Sequence, residues 1–225
     1  MKKFTELPYT RPDIDTIKKA FREQVELLKI ASNLEEQIQA IKEINKINAN
    51  VDTASNLAYI RNSIDTADDF YDTERTFFDE NGPEIGDLNF EYYTALAGSK
   101  FKKDLIAHFG EQLFTIASYR VNSFSKEIIE DLKEENKLGS SYSKLVAGAK
   151  IQFDGKELNL SQLTPYVQSE NRPVRKAAAE ARFNFVAENE EQFDTLYDDS
   201  VKLRHKMARK MGLKNFVELG YLRMQ

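Results

Sequence analysis

Apolar residues recur at steps of three and four along most of this chain, the spacing that places them on one face of a helix. Residues 1–12 come first, and Pro8 and Pro12 make them an expected extended arm. Asp13 then stands where an N-cap belongs, ahead of a stripe of Ile14, Ile17, Phe21, Val25 and Leu28. Ser32 and Glu35 match the S-x-x-E capping box, and Leu34, Ile38, Ile41 and Ile44 follow. This second stripe carries on through Val51, Leu57, Ile60 and Ile64, a helix roughly 45 Å long at about 1.5 Å per residue. Asn48, Asn50 and Asp52 mark the expected place for a break. Thr66 and Asp69 open a third helix with the stripe Phe70, Phe77, Leu88, Tyr92 and Leu96. Gly82-Pro83 predicts a kink or short break within it, and Gly98-Ser99 its end.

Shorter helices are predicted over Phe101 to Phe109 and Glu111 to Tyr119. Another, capped by Ser125, covers Lys126 to Lys137 with Ile128, Ile129 and Leu132 facing inwards. Gly139-Ser140-Ser141 reads as a turn. The pattern changes to period two at residues 149–160, AKIQFDGKELNL, on both sides of Asp154-Gly155. A two-residue Asp-Gly loop between alternating segments is a strong hairpin signal. Ser161 is the expected cap of a short helix to Gln168. Pro173, suited to a first helical turn, reopens helix, with a break near Glu188-Asn189. Phe193, Leu196, Ser200, Leu203, Met207 and Met211 then share one side. Asp198 and Asp199 early and Arg204, Lys206, Arg209 and Lys210 late in this run suit the helix dipole, and Gly212 is a natural stop. Lys214 to Gln225 begins a further amphipathic turn that ends in Tyr221, Leu222 and Met224 with no cap or polar tail. That ending reads as a cut through a larger domain. The expected fold is all-α, a multi-helix array with one small β-hairpin, in two regions: 1–140, of long antiparallel helices, and 141–225, the hairpin and the helices after it.

Composition narrows the function. The chain has 225 residues, 41% hydrophobic and 31% charged, enough for one good core or two small ones. Its formal charge of −5 argues against a nucleic-acid binder, which carries a basic face. The absence of cysteine removes disulfides and thiolate chemistry and fits a reducing compartment. The first residues, MKKFTELPYTRPD, contain no apolar core of a secretory signal. No stretch approaches the ~20 apolar residues of a membrane span. A soluble, cytoplasmic protein is expected.

Candidate chemistry is sparse. His108 and His205 lie far apart. His205 reads as a surface residue near a helix end, His108 as a half-buried cap, and neither as a metal ligand alone. The chain has no H-E-x-x-H, G-x-S-x-G, P-loop or G-x-G-x-x-G. Ser140-Ser141 has no strand leading into it, as a nucleophile would need. Asp198 and Asp199 point to different helix faces and cannot share a proton. The acidic patches Asp68, Asp69, Asp72, Glu74 and Glu188, Glu190, Glu191 read as solvated faces. The doublets Phe77/Phe78 and Tyr92/Tyr93 read as residues packing against two neighbours. No catalytic, cofactor-binding or metal-binding residue is assigned.

The run from Tyr142 onward resembles a known family. Both SYSKLVAGAKIQFDGKELNLSQLTPYVQSENRPVRKAAAEARF and NEEQFDTLYDDSVKLRHKMARKMGLKNFVELGYLRM are similar to the N-terminal half of the oligoendopeptidase F family, within the thimet-oligopeptidase-like zinc metallopeptidases. The segments LPYTRPD, ASNLEEQIQAIKEIN, SIDTADDFYDTE and FSKEIIEDLKEENKL follow that family in the same order. The resemblance implies a cytoplasmic zinc peptidase that cuts short peptides within a helical fold enclosing a deep channel. It also implies that the zinc ligands and the general base sit in an H-E-x-x-H half beyond Gln225. On that basis the chain alone is expected to bind no zinc and to be inactive. Its implied partners are short peptides and the missing catalytic half, with no nucleic acid and no membrane, and dimerisation through exposed apolar surface is expected. The alternative is a stand-alone helical module that binds peptides or a protein without catalysis.

Overall fold

The computed structural model describes residues 3–224. Met1, Lys2 and Gln225, on which the start of the arm and the end of the last helical turn fall, lie outside the described residues. Ten α-helices and one two-stranded sheet make up the described chain: α1 (Ile14–Ile30), α2 (Leu34–Ile64), α3 (Asp69–Ala97), α4 (Lys102–Phe109), α5 (Glu111–Asn122), α6 (Ile129–Ala147), β1 (Ile151–Phe153), β2 (Lys156–Leu158), α7 (Leu160–Val167), α8 (Arg172–Glu188), α9 (Glu190–Lys210) and α10 (Phe216–Met224).

The main core lies among α1 to α5. Phe21, Val25 and Leu28 of α1 pack with Ile38, Ile41 and Ile44 of α2, Leu88, Tyr92 and Leu96 of α3, Leu105 of α4 and Phe114 and Ala117 of α5. Asp13 caps α1 as expected, accepting from the Thr16 N–H at 2.7 Å. The cap of α2 is displaced by one residue from the expected box: Asn33 accepts from the Glu36 N–H, and Glu36, not Glu35, accepts from the Ser32 N–H at 2.7 Å. Asn159 rather than Ser161 caps α7, in a reciprocal box with Gln162.

Three expected interruptions are absent, for one physical reason. Helix α2 runs unbroken past Asn48 because the Asn48 amide donates to Asn89 Oδ1 of α3 at 2.8 Å. The polar side chain finds a tertiary partner instead of competing for its own backbone. Helix α3 runs through Gly82-Pro83. Pro83 has no N–H for the Asp79 carbonyl, and Asn136 of α6 supplies the donor instead, at 3.1 Å. Helix α6 continues through Gly139 because Ser140 donates to Asp79 and accepts from Arg75 Nε at 3.2 Å, holding the segment against α3.

The Asp79 carbonyl gives a direct test. Asn136→Ala leaves it unpaired inside the α3–α6 contact and is expected to lower stability by about 1–2 kcal/mol. In the double variant Asn136→Ala, Pro83→Ala, a new N–H faces the same carbonyl, so part of the loss should return. Chemical denaturation of both variants and of Pro83→Ala closes the cycle. If the two substitutions simply add, this pairing is not what carries α3 past its proline.

The hairpin forms as expected, with Ile151 paired to Leu158 and Phe153 to Lys156. Asp154 (φ 53°) and Gly155 (φ 69°) occupy the left-handed region that a two-residue loop requires. Ile151, Leu158, Leu163 and Ala178 form a separate small core between the hairpin, α7 and α8. Asn171 caps α8, with Pro173 in its first turn. At the end of α9 Gly212 (φ 79°) donates to the Arg209 carbonyl and Leu213 to that of Ala208, which closes the helix as expected. The apolar stripe of α9 is buried only towards its C-terminal end, where Met207 and Ala208 meet Leu219 of α10 and Ile128. Phe70, Ile60 and Ile64, expected on inward stripes, are exposed. Residues 3–12 are extended except for one 3-10 turn at Phe4–Glu6.

Candidate functional site

The residues weighed for chemistry are dispersed. His108 is exposed near the end of α4, not half-buried, and His205 is exposed on α9. Among the described residues no group of three or more His, Asp or Glu could hold a metal ion. Ser140 is spent on Asp79 and Arg75, and Asp198 pairs with Lys202 one turn on. The doublets do pack on two neighbours: Tyr92 and Phe78 are buried, Tyr93 and Phe77 half-buried, and the Arg11 guanidinium lies 4.8 Å from the Phe77 ring centroid.

The acidic patches divide. Glu188, Glu190 and Glu191 are exposed, as expected. Glu74 is not on a solvated face: it is 3% exposed. Arg11 donates to it from Nη2 at 2.5 Å and from Nε at 2.9 Å, and Tyr9 donates through its hydroxyl. The bonds from Arg11, reinforced by the Tyr9 bond and the Arg11 charge, outweigh burial and hold the Glu74 carboxyl below the usual range. Arg61 secures the same arm, donating to the Leu7 carbonyl and the Tyr71 hydroxyl at 2.6 Å each. The expectation of a free, solvated Glu74 failed because its partners lie 63 and 65 positions away in the sequence.

A second charged cluster joins α6 to the last helices. Asp131, 3% exposed, pairs with Lys206 at 2.7 Å and with Lys210. Glu135 accepts from Arg204 at 2.7 Å and Arg223 at 2.8 Å. These two carboxylates thus take four basic groups from α9 and α10.

Helices α2, α3, α5, α6 and α10 border an open polar pocket of about 560 Å³, to which Asp52 and Arg120 contribute exposed side chains. Asn48, Asp52, Asn89, Tyr93, Arg120 and Asn136 line it, with Phe90 and Phe124 as an apolar wall. Burial raises the Asp52 carboxyl above its ordinary value, and the Arg120 charge pulls it back in part. Burial also raises the Tyr93 hydroxyl, with Arg120 opposing and Asp52 adding to the shift. Arg120 and Tyr93 as a site were not legible in the sequence, and Asp52 was noted only as part of a helix break. They come from three helices, and only their helical spacing and polarity could have hinted at it.

Large apolar side chains stand exposed on the last three helices: Phe183 (70%) and Val186 on α8, Tyr197 and Val201 on α9, Tyr221 (73%) and Met224 (78%) on α10. No helix among the described residues is long and apolar enough to cross a membrane.

Comparison with known proteins identifies the frame to which these features belong. Residues 4–124 match the Peptidase M3 N-terminal domain. No curated protein matches. Three solved structures superpose on nearly the whole chain. PZ peptidase A, determined with an inhibitor, is 48% identical over 99% of this chain, with a TM-score of 0.96. An oligoendopeptidase F from Bacillus anthracis str. Ames is 47% identical over 98%, with a TM-score of 0.94. A further oligoendopeptidase F is 44% identical over 100%, with a TM-score of 0.96. The chain spans 40% of the length of each. The match to the family over residues 4–124, together with these superpositions, shows that the chain belongs to the Peptidase M3 N-terminal domain family.

Proposed function

We propose that this chain is the N-terminal, channel-wall portion of a cytoplasmic zinc metalloendopeptidase of the oligoendopeptidase F type, which hydrolyses short peptides. The observation that carries the reading is the 44–48% identity to PZ peptidase A and two oligoendopeptidases F over at least 98% of this chain. The residues present do not fit a zinc site: both histidines are exposed on separate helices and no acidic group joins them in a metal-sized cluster among the described residues. No step of hydrolysis is therefore assigned to this chain's own side chains. Its part is to form one wall and to dock a catalytic half. On this reading residues 1–140 make the helical wall and residues 141–225 lead into the catalytic portion. The exposed Phe183, Tyr197 and Tyr221 also suit a second reading, a helical module that binds peptides or a protein without cutting them.

The test pairs this chain with the part of PZ peptidase A that it does not cover, produced as a separate polypeptide. Hydrolysis of a quenched fluorogenic short peptide and zinc content by mass spectrometry are the readouts. The chain alone should neither cut nor retain stoichiometric zinc, and the mixture should cut. Stoichiometric zinc with cleavage by the chain alone would sink the proposal. A mixture that forms a complex yet does not cut favours the binding-module reading.

A further inference from the structure

Helix α6 is held on two sides by charge, with opposite signs. Towards α3 it presents bases to acids, in antiparallel order. Lys144 pairs with Asp72 at 2.6 Å, Lys137 with Glu80 at 3.7 Å and Lys133 with Glu84 at 3.3 Å. Lys126, in the 3-10 turn Lys126–Ile128 that leads into α6, extends the series to Asp87 at 3.2 Å and Glu91 at 3.3 Å. Towards α9 and α10 the signs reverse: Asp131 and Glu135 of α6 take four bases.

Apolar burial adds little to the α3 side. Asp131 is the one buried residue of α6. Among the described residues, α6 supplies no buried side chain to any apolar cluster, and the main core lies wholly within α1 to α5. The open polar pocket, bordered by Gly82 and Gly86 of α3 and Leu132 and Asn136 of α6, interrupts the same seam. The two charged seams also differ in their acids. Asp72, Glu80 and Glu84 keep 34–53% of their side-chain surface exposed and Asp87 keeps 13%, against 3% for Asp131 and 10% for Glu135. Salt screens exposed pairs far more than buried ones, and its screening length falls from about 10 Å at 0.1 M to about 3 Å at 1 M. The α3 seam is therefore the one that salt weakens first.

We propose that the α3–α6 ladder is a salt-released clasp. Rising ionic strength parts α6 from α3 and carries α9 and α10 away with α6, while α1 to α5 stay folded around their own core. Such an opening is sub-global, confined to the part of the fold with the least buried apolar contact. The clasp goes beyond the peptidase reading. It requires neither zinc nor a catalytic half, so its failure would leave that reading intact.

Spin-label distances measured by double electron–electron resonance, at about 0.1 M and about 1 M NaCl and neutral pH, test it. The chain has no cysteine, so nitroxides attach only where cysteine is introduced, here at exposed positions outside the ladder. Lys103→Cys of α4 with Glu188→Cys of α8 spans the clasp. Lys19→Cys with Lys103→Cys stays within α1 to α5, and Ser141→Cys with His205→Cys spans α6 and α9. The spanning distance should be narrow at the lower salt, then lengthen and broaden at the higher, while the other two hold. Lys133→Glu/Lys137→Glu, which sets acid against Glu84 and Glu80, should open the span already at about 0.1 M. Lys42→Glu/Lys150→Glu, an equal change of charge away from the ladder, should not. Should Lys133→Glu/Lys137→Glu lose its helical circular dichroism, the salt series on the chain with its ladder intact decides alone. The proposal is overturned if the spanning distance ignores salt, if the α6–α9 or the α1–α4 distance lengthens in step with it, or if the control substitutions open the span as well.

Discussion

Glu74→Ala is expected to lower the stability of this chain by about 2 kcal/mol, below the range for removing one member of a fully buried ion pair because Arg11 reaches solvent. The carboxylate is shut away from water and receives Arg11 through two nitrogens and Tyr9 through its hydroxyl. Its removal leaves the Arg11 guanidinium, which lies over Phe77, and the Tyr9 hydroxyl without their acceptor. Burial and the Glu74 bond together raise the Tyr9 hydroxyl, so at neutral pH it stays a donor. The structural consequence should be local as well as global. The arm from Lys3 to Pro12 is held by this cluster and by Arg61, and little regular backbone pairing supports it. Hydrogen exchange should therefore accelerate in residues 7–12 and in the first turns of α3, and leave the Leu88, Tyr92 and Leu96 amides protected. Glu74→Gln, which keeps the shape and one acceptor, should lose less. Equal, small losses in both variants would mean that the cluster is ornamental and that packing of Tyr9 against Phe70 and Tyr71 holds the arm.

Acid is expected to release α9 and α10 from α6. Burial pushes the Asp131 carboxyl up, but the hydrogen bonds and charges of Lys206 and Lys210 outweigh it and hold the group below its ordinary value. Glu135 behaves likewise: burial raises it, and Arg223 and Arg204 bring it down further. A carboxyl depressed in the folded state binds fewer protons than in the unfolded chain. Its contribution is full above the unfolded carboxylate range, about pH 4, and is lost as the pH falls through the lower folded value. Urea midpoints measured from neutral pH downwards should fall steeply below about pH 4. Asp131→Asn should remove about 2 kcal/mol at neutral pH, less than a fully buried pair because Lys206 and Lys210 reach solvent. It should also flatten the acid limb. An acid limb as steep in the variant as in the parent would assign the loss to other carboxylates. The apolar contact of Ile128, Met207, Ala208 and Leu219 is small, and for that reason the four basic groups matter to this junction.

The helical class, the hairpin and most boundaries were legible because they depend on near neighbours. Asp13, Gly98, Asp154-Gly155, Pro173 and Gly212 each act within about one turn of themselves, and each acts as its chemistry dictates. The caps at Asn33 and Asn159 differ from expectation by one or two positions because Ser, Asn and Glu side chains all compete for the same free N–H groups. The expected breaks at Asn48 and Gly139 and the interruption at Pro83 went wrong for another reason. Each is a local defect repaired from a distance, by Asn89, by Asp79 with Arg75, and by Asn136.

The order of residues alone settled that the chain is helical and placed the turns at Gly98, Asp154-Gly155 and Gly212, since periodicity, capping and backbone preference act over a few residues. Tertiary structure alone decided that Glu74 is a buried tether, that four bases converge on Asp131 and Glu135, and that Asp52, Tyr93 and Arg120 line one pocket. Those outcomes depend on charges and amides brought together across tens of positions, and their balance of desolvation against pairing exists only once the helices have packed.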